Sequence, residues 1–438
     1  MDGVTSIVVE PCDPLDGCVD IGGAKNSVLK LMAATLLSGS GHVHRLVNVP
    51  AIADVGTMAE LLGSIGCDVT RPATEGVVEL VRPEHLATDL SASAPSRLVS
   101  RIRASTALLG PLLAREGQVT LPAPGGDDFG RGARPISMHT DALETLGATW
   151  EFTDGPSGAV VHGEVPGGRL HGGDVRLPYP SVGATENVLM AAVLAAGRTT
   201  IINAAQEPEI ADLAAMLNRM GAHILGAGSR VIEVTGVDAL QPVKHAVVPD
   251  RIEAATYLAA VAVAGGEVRL RNADHRHLAV IIERLGDTGV RVAPDRGGVW
   301  VRAEPGRRQP TDLQTLPYPG LATDQLPLLV ATLVTATGTS YVTENVQTGR
   351  FAYVEELRQM GASIEEHGHH LVVRGVDRLS GGQTVEATDI RAGAALVVAA
   401  LGAGGPTRVE GAEHLERGYA GFVEQLRSIG ADVAVLAP

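Results

Sequence analysis

The feature that most constrains the fold is a short pattern that occurs six times along the 438 residues of this chain. In each copy a glycine stands four residues after a leucine, and a run of β-forming residues follows the glycine directly. A glycine in that place ends a helix, because a residue without a Cβ turns the chain out of the last helical turn at little cost. The interval of about 70 residues between copies predicts six structural units of one type. The six copies are residues 62–66, 143–147, 217–221, 285–289, 357–361 and 426–430.

Each unit also contains two helices of different character. The first is apolar on almost every side, as in residues 396–401, and such a helix has to be buried. The second is amphipathic, as in residues 355–360, so it should cover the outside of the unit. Helix, strand, helix and strand therefore repeat six times. Buried helices surrounded by sheets predict three units around each of two centres, with the junction between the two lobes near residues 236–249.

The size and the charge of the chain limit its organisation and its partners. A chain of 438 residues is too long for one core, which agrees with two lobes. The formal net charge of -15 argues against broad binding to nucleic acids or anionic membranes, so an anionic ligand must be held by a local basic cluster. The uncharged residues 325–343 approach the length of a membrane span, but their Pro, Gly and Thr residues fit a buried helix that leads into a strand.

The three cysteines are Cys12, Cys18 and Cys67, and their spacing is not that of a metal site. An odd number of cysteines without a disulfide pattern suits a reducing compartment. The first ten residues have neither a basic leader nor an apolar run, so we recognise no secretion signal. These features predict a cytoplasmic protein.

Polar residues stand at the start of each of the six buried helices. A helix N-terminus carries partial positive charge and N–H groups that lack partners, so it attracts anions, and more so beside a lysine or arginine. Taken singly, such residues are more often N-caps or structural ion pairs. Their recurrence at equivalent places favours a binding role. In chain order they are Lys25 with Asn26, Arg103 with Ser105, Ser181 with Glu186 and Asn187, Asp250 with Arg251, Thr323 with Asp324, and Asp389 with Arg391.

A second candidate is the stretch of residues 121–139, whose four glycines and three prolines exclude a regular element. It carries Asp127 and Asp128, followed by Arg131 and Arg134. This mixture suits a loop that holds an anion and delivers a proton. The plain alternative is a solvated surface loop, because such loops are common.

Seven short motifs resemble, in order, those of the UDP-N-acetylglucosamine enolpyruvyl transferases, and together they span practically the whole chain. The resemblance implies a two-lobed inside-out α/β barrel of six repeated units, three per lobe. Lobe 1 would be residues 22–248 with a mobile active-site loop at 121–135, and lobe 2 would be residues 1–21 plus 249–438. The Asn-Ala-Gly-Thr-Ala-Met-Arg-Pro stretch of shikimate enolpyruvyl transferases is absent from the sequence. The motifs are Gly-Gly-Ala-Lys-Asn-Ser at 22–27, Arg-Ala-Ser at 103–105, Gly-Ala-Arg-Pro at 132–135, Ser-Val-Gly-Ala-Thr-Glu-Asn at 181–187, Thr-Asp at 323–324, Asp-Ile-Arg-Ala at 389–392 and Glu-Arg-Gly-Tyr at 416–419.

The resemblance implies transfer of the enolpyruvyl group of phosphoenolpyruvate to a hydroxyl of a uridine nucleotide, with release of phosphate and without a cofactor or metal. Fixed cations must neutralise the phosphate and the carboxylate of phosphoenolpyruvate. By resemblance Lys25, Arg134 and Arg417 do so, with Arg103 and Arg391 nearby. A general acid protonates the methylene carbon, and the deprotonated acceptor hydroxyl attacks the neighbouring carbon.

The same resemblance assigns the remaining roles. Asp324 would be the base that deprotonates the acceptor hydroxyl, and Asn26 would contact the acceptor sugar. In most members a cysteine follows the Gly-Gly of the loop and acts as the acid, but here that residue is Asp127, and an aspartate of raised pKa could do the same. Without a thiol in the loop we expect resistance to fosfomycin, which alkylates that cysteine in relatives. The residues expected around the uridine nucleotide are Pro135, His139, Ser181, Val182 and Gly183.

Several departures from the family pattern fall on the acceptor side. They are two extra residues after Asp127, which make Asp128 or Arg131 a possible participant; Ser137 in place of aspartate; Gln347 in place of an aromatic residue; and Leu321-Ala322 in place of Phe-Pro. The acceptor favoured by the retained motifs is the 3-hydroxyl of UDP-N-acetylglucosamine, as in peptidoglycan precursor synthesis. Two alternatives stay open. They are the 3'-hydroxyl of UMP in nucleoside-antibiotic biosynthesis, and a catalytically silent regulatory paralogue that binds a nucleotide; the oligomeric state is unknown.

Overall fold

The computed structural model describes residues 5–71, 76–125, 136–155, 158–347 and 349–436. The described residues fall into two units. Lobe 1 comprises the described part of residues 23–248, and lobe 2 combines the described parts of residues 1–22 and 249–438. The two boundaries lie between Gly22 and Gly23 and between Val248 and Pro249.

Within its described residues lobe 1 has three sheets, one for each repeated unit. In two of them a central strand pairs in parallel with a short edge strand and antiparallel with one strand of a hairpin. In the remaining sheet the parallel neighbour is a single bridge between Asp89 and Thr120. In hydrogen-bonded order the strands are Lys244–Ala246, Val43–Val47, Val77–Val81 and Asp68–Thr70; Gln118–Pro122, Gly158–Glu164 and Thr149–Gly155; and Asp174–Arg176, Arg198–Ile202, Val231–Thr235 and His223–Leu225.

Lobe 2 repeats this arrangement in three sheets of four strands among its described residues. The strands Ser6–Val9 and Leu15–Asp20 both belong to lobe 2, in different sheets. Ser6–Val9 lies between the last two strands of the chain and is antiparallel to both. The sheets are Leu15–Asp20, Gly266–Arg271, Gly298–Ala303 and Arg291–Asp295; Leu313–Gln314, Thr339–Thr343, His370–Arg374 and Ser363–His367; and Thr384–Glu386, Thr407–Glu410, Ser6–Val9 and Val433–Leu436.

Each unit has one buried and one amphipathic helix, as the apolar pattern predicts. All eleven residues of the helix Ile390–Ala400 are buried, and they are mainly alanine and valine. The other buried helices are Lys25–Ala34, Leu109–Glu116, Val182–Ala192, Arg251–Ala264 and Leu326–Leu333. The amphipathic helices are Ala53–Ser64, Ser137–Glu144, Pro208–Arg219, Ala279–Asp287, Ala352–Gln359 and Phe422–Ser428. Shorter helical segments are Thr35–Leu37, Ser93–Val99, Arg103–Leu108, His275–Leu278 and Glu413–Glu416.

The six repeated glycines end the amphipathic helices, as expected. All six have φ between 93° and 106°, which a residue with a Cβ rarely adopts. In every copy the N–H of the residue after the glycine donates to the carbonyl of the repeated leucine, as between Cys67 and Leu62 at 3.0 Å. These are the bonds of a Schellman motif, which satisfies carbonyls left without partners at the helix end.

The units contain more strands than the sequence predicts. The predicted order of helix, strand, helix and strand was incomplete, because the second strand is one half of a hairpin and a short edge strand pairs beside the central strand. These extra strands have two to seven residues and little apolar periodicity, so the sequence does not mark them. Residues 325–343 contain the buried helix Leu326–Leu333 followed by the strand Thr339–Thr343, as predicted. No described helix combines the length and apolar character needed to cross a membrane.

Candidate active site

In lobe 1 the buried helix Lys25–Ala34 places Lys25 and Asn26 at its first two positions. The residue before it, Ala24, has no side chain that could cap the helix. Lys25 is 9% exposed, and its Nζ lies 2.9 Å from Oδ2 of Asp54 in the helix Ala53–Ser64. The position before Ala24 requires glycine, because a Cβ on Gly23 would lie 1.8 Å from the carbonyl oxygen of Asn48. The lysine is therefore held at the helix N-terminus by a buried carboxylate that sequence reasoning missed.

A second group in lobe 1 is organised by the buried amide of Asn187. Its Nδ2 donates to Nδ1 of His139 at 2.8 Å and to the carbonyl of Thr106 at 3.0 Å, while its Oδ1 accepts from the N–H of Gly110 at 2.8 Å. This one side chain thus ties the helices that carry His139, Arg103 and residues 181–183. Asn187 belongs to the recognised motif at 181–187, but sequence reasoning did not predict this linking role.

The His139 ring packs directly against the start of the helix Val182–Ala192. A Cβ on Gly183 would lie 2.8 Å from the His139 Cε1, so glycine permits this contact. Burial, together with the positive charges of Arg103 and Lys30, lowers the pKa of His139 to about 4. Its imidazole is therefore neutral at physiological pH. Ser181 caps the helix by accepting from the N–H of Ala184 at 3.3 Å.

Next to this group lies a buried carboxyl group, Glu186, which is 1% exposed. Burial raises its pKa to about 7, although the positive charge of Lys30 acts in the opposite direction. The Lys30 Nζ lies 3.6 Å from Oε1 of Glu186 and donates to the Asn26 carbonyl at 2.9 Å. Lys30 therefore connects this titrating carboxyl group, one residue before Asn187, with the backbone of Asn26.

Asp212, on the helix Pro208–Arg219, accepts three hydrogen bonds in lobe 1. Its Oδ2 accepts from Oγ of Ser27 at 2.6 Å and from the N–H of Val248 at 3.1 Å, and its Oδ1 lies 2.7 Å from Nε2 of His245. Ser27 immediately follows Asn26, so Asp212 ties the start of the candidate site helix to the end of the lobe. Nothing in the local sequence marks Asp212, because its partners are far away along the chain.

In lobe 2 the expected base, Asp324, lies against two arginines. Its Oδ1 is 2.5 Å from Nη2 of Arg350, and its Oδ2 is 4.0 Å from Nη2 of Arg391. Partial burial raises the pKa of Asp324, but the two guanidinium groups lower it by more, so the net pKa lies well below the usual range. Asp324 is therefore ionised at physiological pH, and a quarter of its side chain is exposed.

The segment around Asp324 is held by Glu344, which is 1% exposed and which sequence reasoning missed. Its Oε2 accepts from Oγ1 of Thr323 at 2.8 Å. Its Oε1 accepts from Oγ1 of Thr315 at 2.7 Å and from the N–H groups of Val346 and Gln347 at 2.7 and 2.8 Å.

Arg391 is the second residue of the helix Ile390–Ala400, and Asp389 caps that helix. Oδ1 of Asp389 accepts from the N–H of Arg391 at 2.7 Å. The Arg391 guanidinium donates from Nη1 to the hydroxyl of Tyr419 at 3.1 Å. The Tyr419 hydroxyl also lies 2.9 Å from the hydroxyl of Thr256. Arg417 is half-buried, directly after the short helix Glu413–Glu416 and two residues before Tyr419.

The helix starts carry both capping residues and cations. Ser181, Asp250 and Asp389 are side-chain N-caps, as such residues usually are. The cations Lys25, Arg251 and Arg391 occupy the first or second helical position beside a polar residue. Five of the residues expected in the loop lie outside the described residues: Asp127, Asp128, Arg131, Arg134 and Pro135. In the described ranges no group of three histidine, cysteine, aspartate or glutamate side chains could hold a metal ion.

Comparisons with known proteins identify the family of the chain. A family model described as EPSP synthase (3-phosphoshikimate 1-carboxyvinyltransferase) matches residues 9–426. The UDP-N-acetylglucosamine 1-carboxyvinyltransferase of Nocardia farcinica is 46% identical over 420 residues, which is 95% of each chain. UDP-N-acetylglucosamine 1-carboxyvinyltransferase 2 of Carboxydothermus hydrogenoformans is 46% identical over 428 residues, which is 97% of this chain and 98% of that protein.

Solved structures show the same fold. The enolpyruvyl transferase NikO from Streptomyces tendae matches all of both chains with a TM-score of 0.88 at 24% identity. EPSP synthase from Acinetobacter baumannii matches 98% of this chain and 100% of its own with a TM-score of 0.74 at 18% identity. The fold predicted from the repeats and motifs is therefore confirmed. With a family match over nearly the whole length and relatives that are 46% identical, the chain belongs to the EPSP synthase family of 1-carboxyvinyl (enolpyruvyl) transferases.

Proposed function

We propose that this enolpyruvyl transferase uses UDP-N-acetylglucosamine as its acceptor and attaches the enolpyruvyl group of phosphoenolpyruvate to the 3-hydroxyl, with release of phosphate. The observation that carries the proposal is the near-full-length identity of 46% to two proteins that bear the name UDP-N-acetylglucosamine 1-carboxyvinyltransferase. The reaction would supply a peptidoglycan precursor in the cytoplasm.

The described cations suit a small substrate with two anionic groups. Lys25, Arg103, Arg391 and Arg417 are the described members of the cationic set that the motifs suggest, and Arg134 is a further member expected from the sequence. Fixed cations are effective because they need no reorganisation when charge develops in the transition state. We assign them to the phosphate and carboxylate of phosphoenolpyruvate.

The acceptor would be held by neutral and hydrogen-bonding groups of lobe 1. Neutral His139 can donate or accept without adding charge, and it lies against the helix start that contains Ser181, Val182 and Gly183. Asn26, at the second position of the helix Lys25–Ala34, supplies an amide for the sugar. These assignments give the cations to phosphoenolpyruvate and the neutral groups around Asn26, His139 and residues 181–183 to the nucleotide.

Asp324 would take the proton of the acceptor hydroxyl. While Arg350 lies 2.5 Å away, the carboxylate is a weak base, because the guanidinium stabilises its ionised form. An anionic substrate that draws Arg350 or Arg391 toward itself would weaken this pairing and raise the basicity of Asp324. The proton for the methylene carbon would come from Asp127 or Asp128, in the loop outside the described residues.

The acceptor-side departures favour a second candidate, transfer to the 3'-hydroxyl of UMP. Ser137 and Gln347 replace an expected aspartate and an expected aromatic residue, and a smaller acceptor without the N-acetylglucosamine group would need fewer contacts. Gln347 lies in the turn held by Glu344. A purely regulatory role has no comparable support, since the described catalytic candidates Lys25, Asp324 and Arg417 are all present.

The deciding experiment measures phosphate release from phosphoenolpyruvate with UDP-N-acetylglucosamine and with UMP in parallel, with products identified by mass. The proposal expects turnover with the sugar nucleotide and a product heavier by one enolpyruvyl group. Turnover with UMP alone would replace it with the second candidate. Silence with both acceptors would refute both assignments, and phosphoenolpyruvate without acceptor serves as the control for background hydrolysis.

A further inference from the structure

The turn that follows the central strand of a unit has a recurrent structure. In three units this turn is one asparagine with φ between 57° and 61°: Asn48, Asn203 or Asn272. Each asparagine amide donates at 2.8 to 2.9 Å to a carbonyl just beyond the parallel edge strand. In these three units one asparagine makes the turn, and its hydrogen bond joins two strands of the sheet.

The fifth unit departs from this arrangement by one residue. Its central strand ends at Thr343, and Asn345 makes the equivalent bond to the carbonyl of Thr315 at 3.2 Å. Glu344 is inserted between the strand and the asparagine. Since three other units form the same joint without a glutamate, this joint does not account for Glu344.

The bonds of Glu344 lead to the candidate base. Thr323 donates from its hydroxyl to Oε2 of Glu344 at 2.8 Å, and the same hydroxyl oxygen accepts from Nη1 of Arg350 at 3.2 Å. Nη2 of that guanidinium lies 2.5 Å from Asp324, the residue after Thr323. A chain of contacts therefore runs from Glu344 through Thr323 and Arg350 to Asp324.

Glu344 also orients the start of the segment that leads to Arg350. Its Oε1 accepts the N–H groups of Val346 and Gln347, so it bends the start of residues 344–350 around one carboxylate. Because the side chain is 1% exposed, water cannot replace these donors easily. One buried carboxylate thus orients two separate segments, one with the candidate base and one with its arginine.

We propose that Glu344 is a positioning residue of the transferase, which acts through Thr323 to hold the Asp324 carboxylate and the Arg350 guanidinium in the geometry needed for proton removal from the acceptor. This inference rests on the proposed function in one respect, the role of Asp324 as the base. Misplacement of a reacting group by about 1 Å can cost about 100-fold in rate, so loss of the hold should reduce kcat far more than it changes substrate binding.

The test compares two replacements of Thr323 with one matched control. Thr323→Val removes the hydroxyl and keeps the shape, and Thr323→Ser keeps the hydroxyl. Thr288→Val removes another hydroxyl of lobe 2, which is more deeply buried and donates to the Leu285 carbonyl at 2.7 Å. We expect Thr323→Val to lower kcat by about 10- to 100-fold with KM for phosphoenolpyruvate within about 2-fold, and Thr323→Ser to recover kcat to within about 3-fold.

The control separates positioning from stability. Thr288→Val should lower Tm, because it removes a buried hydroxyl that donates a hydrogen bond, and it should leave kcat within about 2-fold of the wild type. Equal kcat values for the two valine variants, or a serine variant as slow as the valine variant, would overturn the proposal.

A double-mutant cycle tests the link to Glu344 itself. Glu344→Gln removes one oxygen acceptor and adds an N–H donor where four donors already converge. If Glu344 acts through Thr323, the double variant should be no slower than the slower single variant. Multiplying effects would mean that the two residues act separately, which contradicts the proposal. The Thr323 pair remains informative if Glu344→Gln does not fold.

Asp324→Asn distinguishes failure of this inference from failure of the proposed function. An inactive Asp324→Asn variant beside a fully active Thr323→Val variant would refute positioning and leave the base in place. An active Asp324→Asn variant would refute the base and, with it, the role assigned to Glu344. A wild type that transfers to neither acceptor would refute the proposed function.

Discussion

At the scale of single residues, buried charges in each lobe are paired or hydrogen-bonded across long sequence separations. Asp54 neutralises Lys25 in lobe 1, and Arg350 and Arg391 flank Asp324 in lobe 2. A buried pair adds little net stability compared with apolar residues, but removing one partner leaves an uncompensated charge. Removing one partner of such a pair should therefore change both the free energy of unfolding and the stabilisation that an anionic ligand provides.

The pair of Lys25 and Asp54 gives the first prediction. Asp54→Asn should lower the free energy of unfolding by about 3 kcal/mol, because the side chains of both partners are nearly buried, at 11% and 6% exposed. Saturating phosphoenolpyruvate should raise Tm more in the variant than in the wild type, because the substrate anion supplies the missing negative charge. Denaturant unfolding and thermal shift measure the two effects.

The matched control for that experiment is Asp238→Asn in the same lobe. Asp238 pairs with Arg169, but its side chain is 94% exposed, so the change in free energy should stay within about 0.5 kcal/mol. Equal destabilisation by both substitutions would contradict the assigned role of Asp54.

Glu186 provides a prediction about pH. Its folded-state pKa is raised to about 7, so its stabilising contribution is complete below the unfolded pKa near 4.5 and is lost as pH rises through about 7. In the wild type, ionisation of Glu186 should lower the free energy of unfolding by up to about 3 kcal/mol across that interval. In Glu186→Gln this fall should disappear, because glutamine stays neutral. Unfolding free energies between pH 5 and pH 8 test this. The exposed Glu151→Gln should leave the pH profile unchanged, and an unchanged slope in Glu186→Gln would refute the prediction.

At the scale of elements, the repeated helix end was the most predictable structure. The leucine and glycine positions identify the Schellman motif, because positive φ is required of one residue and because the apolar leucine packs inward. The buried and amphipathic helices follow from their composition. The edge strands could not be predicted from composition, because segments such as Leu313–Gln314 owe their conformation to a neighbouring strand rather than to their own residues.

Two glycines three residues apart test this account of the helix end. Gly289 has φ of 93°, Gly286 lies inside the helix Ala279–Asp287, and a Cβ on either would meet no atom within 4 Å. Gly289→Ala should therefore destabilise by about 1–2 kcal/mol through backbone strain alone. Gly286→Ala should stabilise by about 0.5–1 kcal/mol, because alanine favours a helix interior. Changes of the same sign in thermal unfolding would contradict the argument.

At the scale of the whole molecule, a chain of net charge -15 handles anions only through local clusters, as its composition suggested. Resemblance indicated the cations of both lobes. The carboxylates that hold the segments of the candidate site, Asp54, Asp212 and Glu344, were not predictable, because each acts on a partner brought near by folding and none belongs to a local motif.

The distribution of thiols over the whole chain predicts the response to fosfomycin. The loop has no cysteine, and burial raises the pKa of Cys67 to about 12, so that thiol is a poor nucleophile. Incubation should leave turnover and intact mass unchanged. Asp127→Cys should gain one covalent adduct and lose activity with time, if Asp127 occupies the position of the family's loop cysteine. A Cys18→Ser background excludes the exposed thiol as the site of an adduct.

The path of the first strands sets an order of events during synthesis on the ribosome. Ser6–Val9 emerges first, yet its two partners, Thr407–Glu410 and Val433–Leu436, are translated last. Leu15–Asp20 pairs with Gly266–Arg271, which emerges only after all of lobe 1. Lobe 1 can therefore complete its sheets while the nascent N-terminal strands still lack partners. These early strands are therefore among the last to fold. Premature termination after lobe 1 would release a folded lobe 1 preceded by strands without partners.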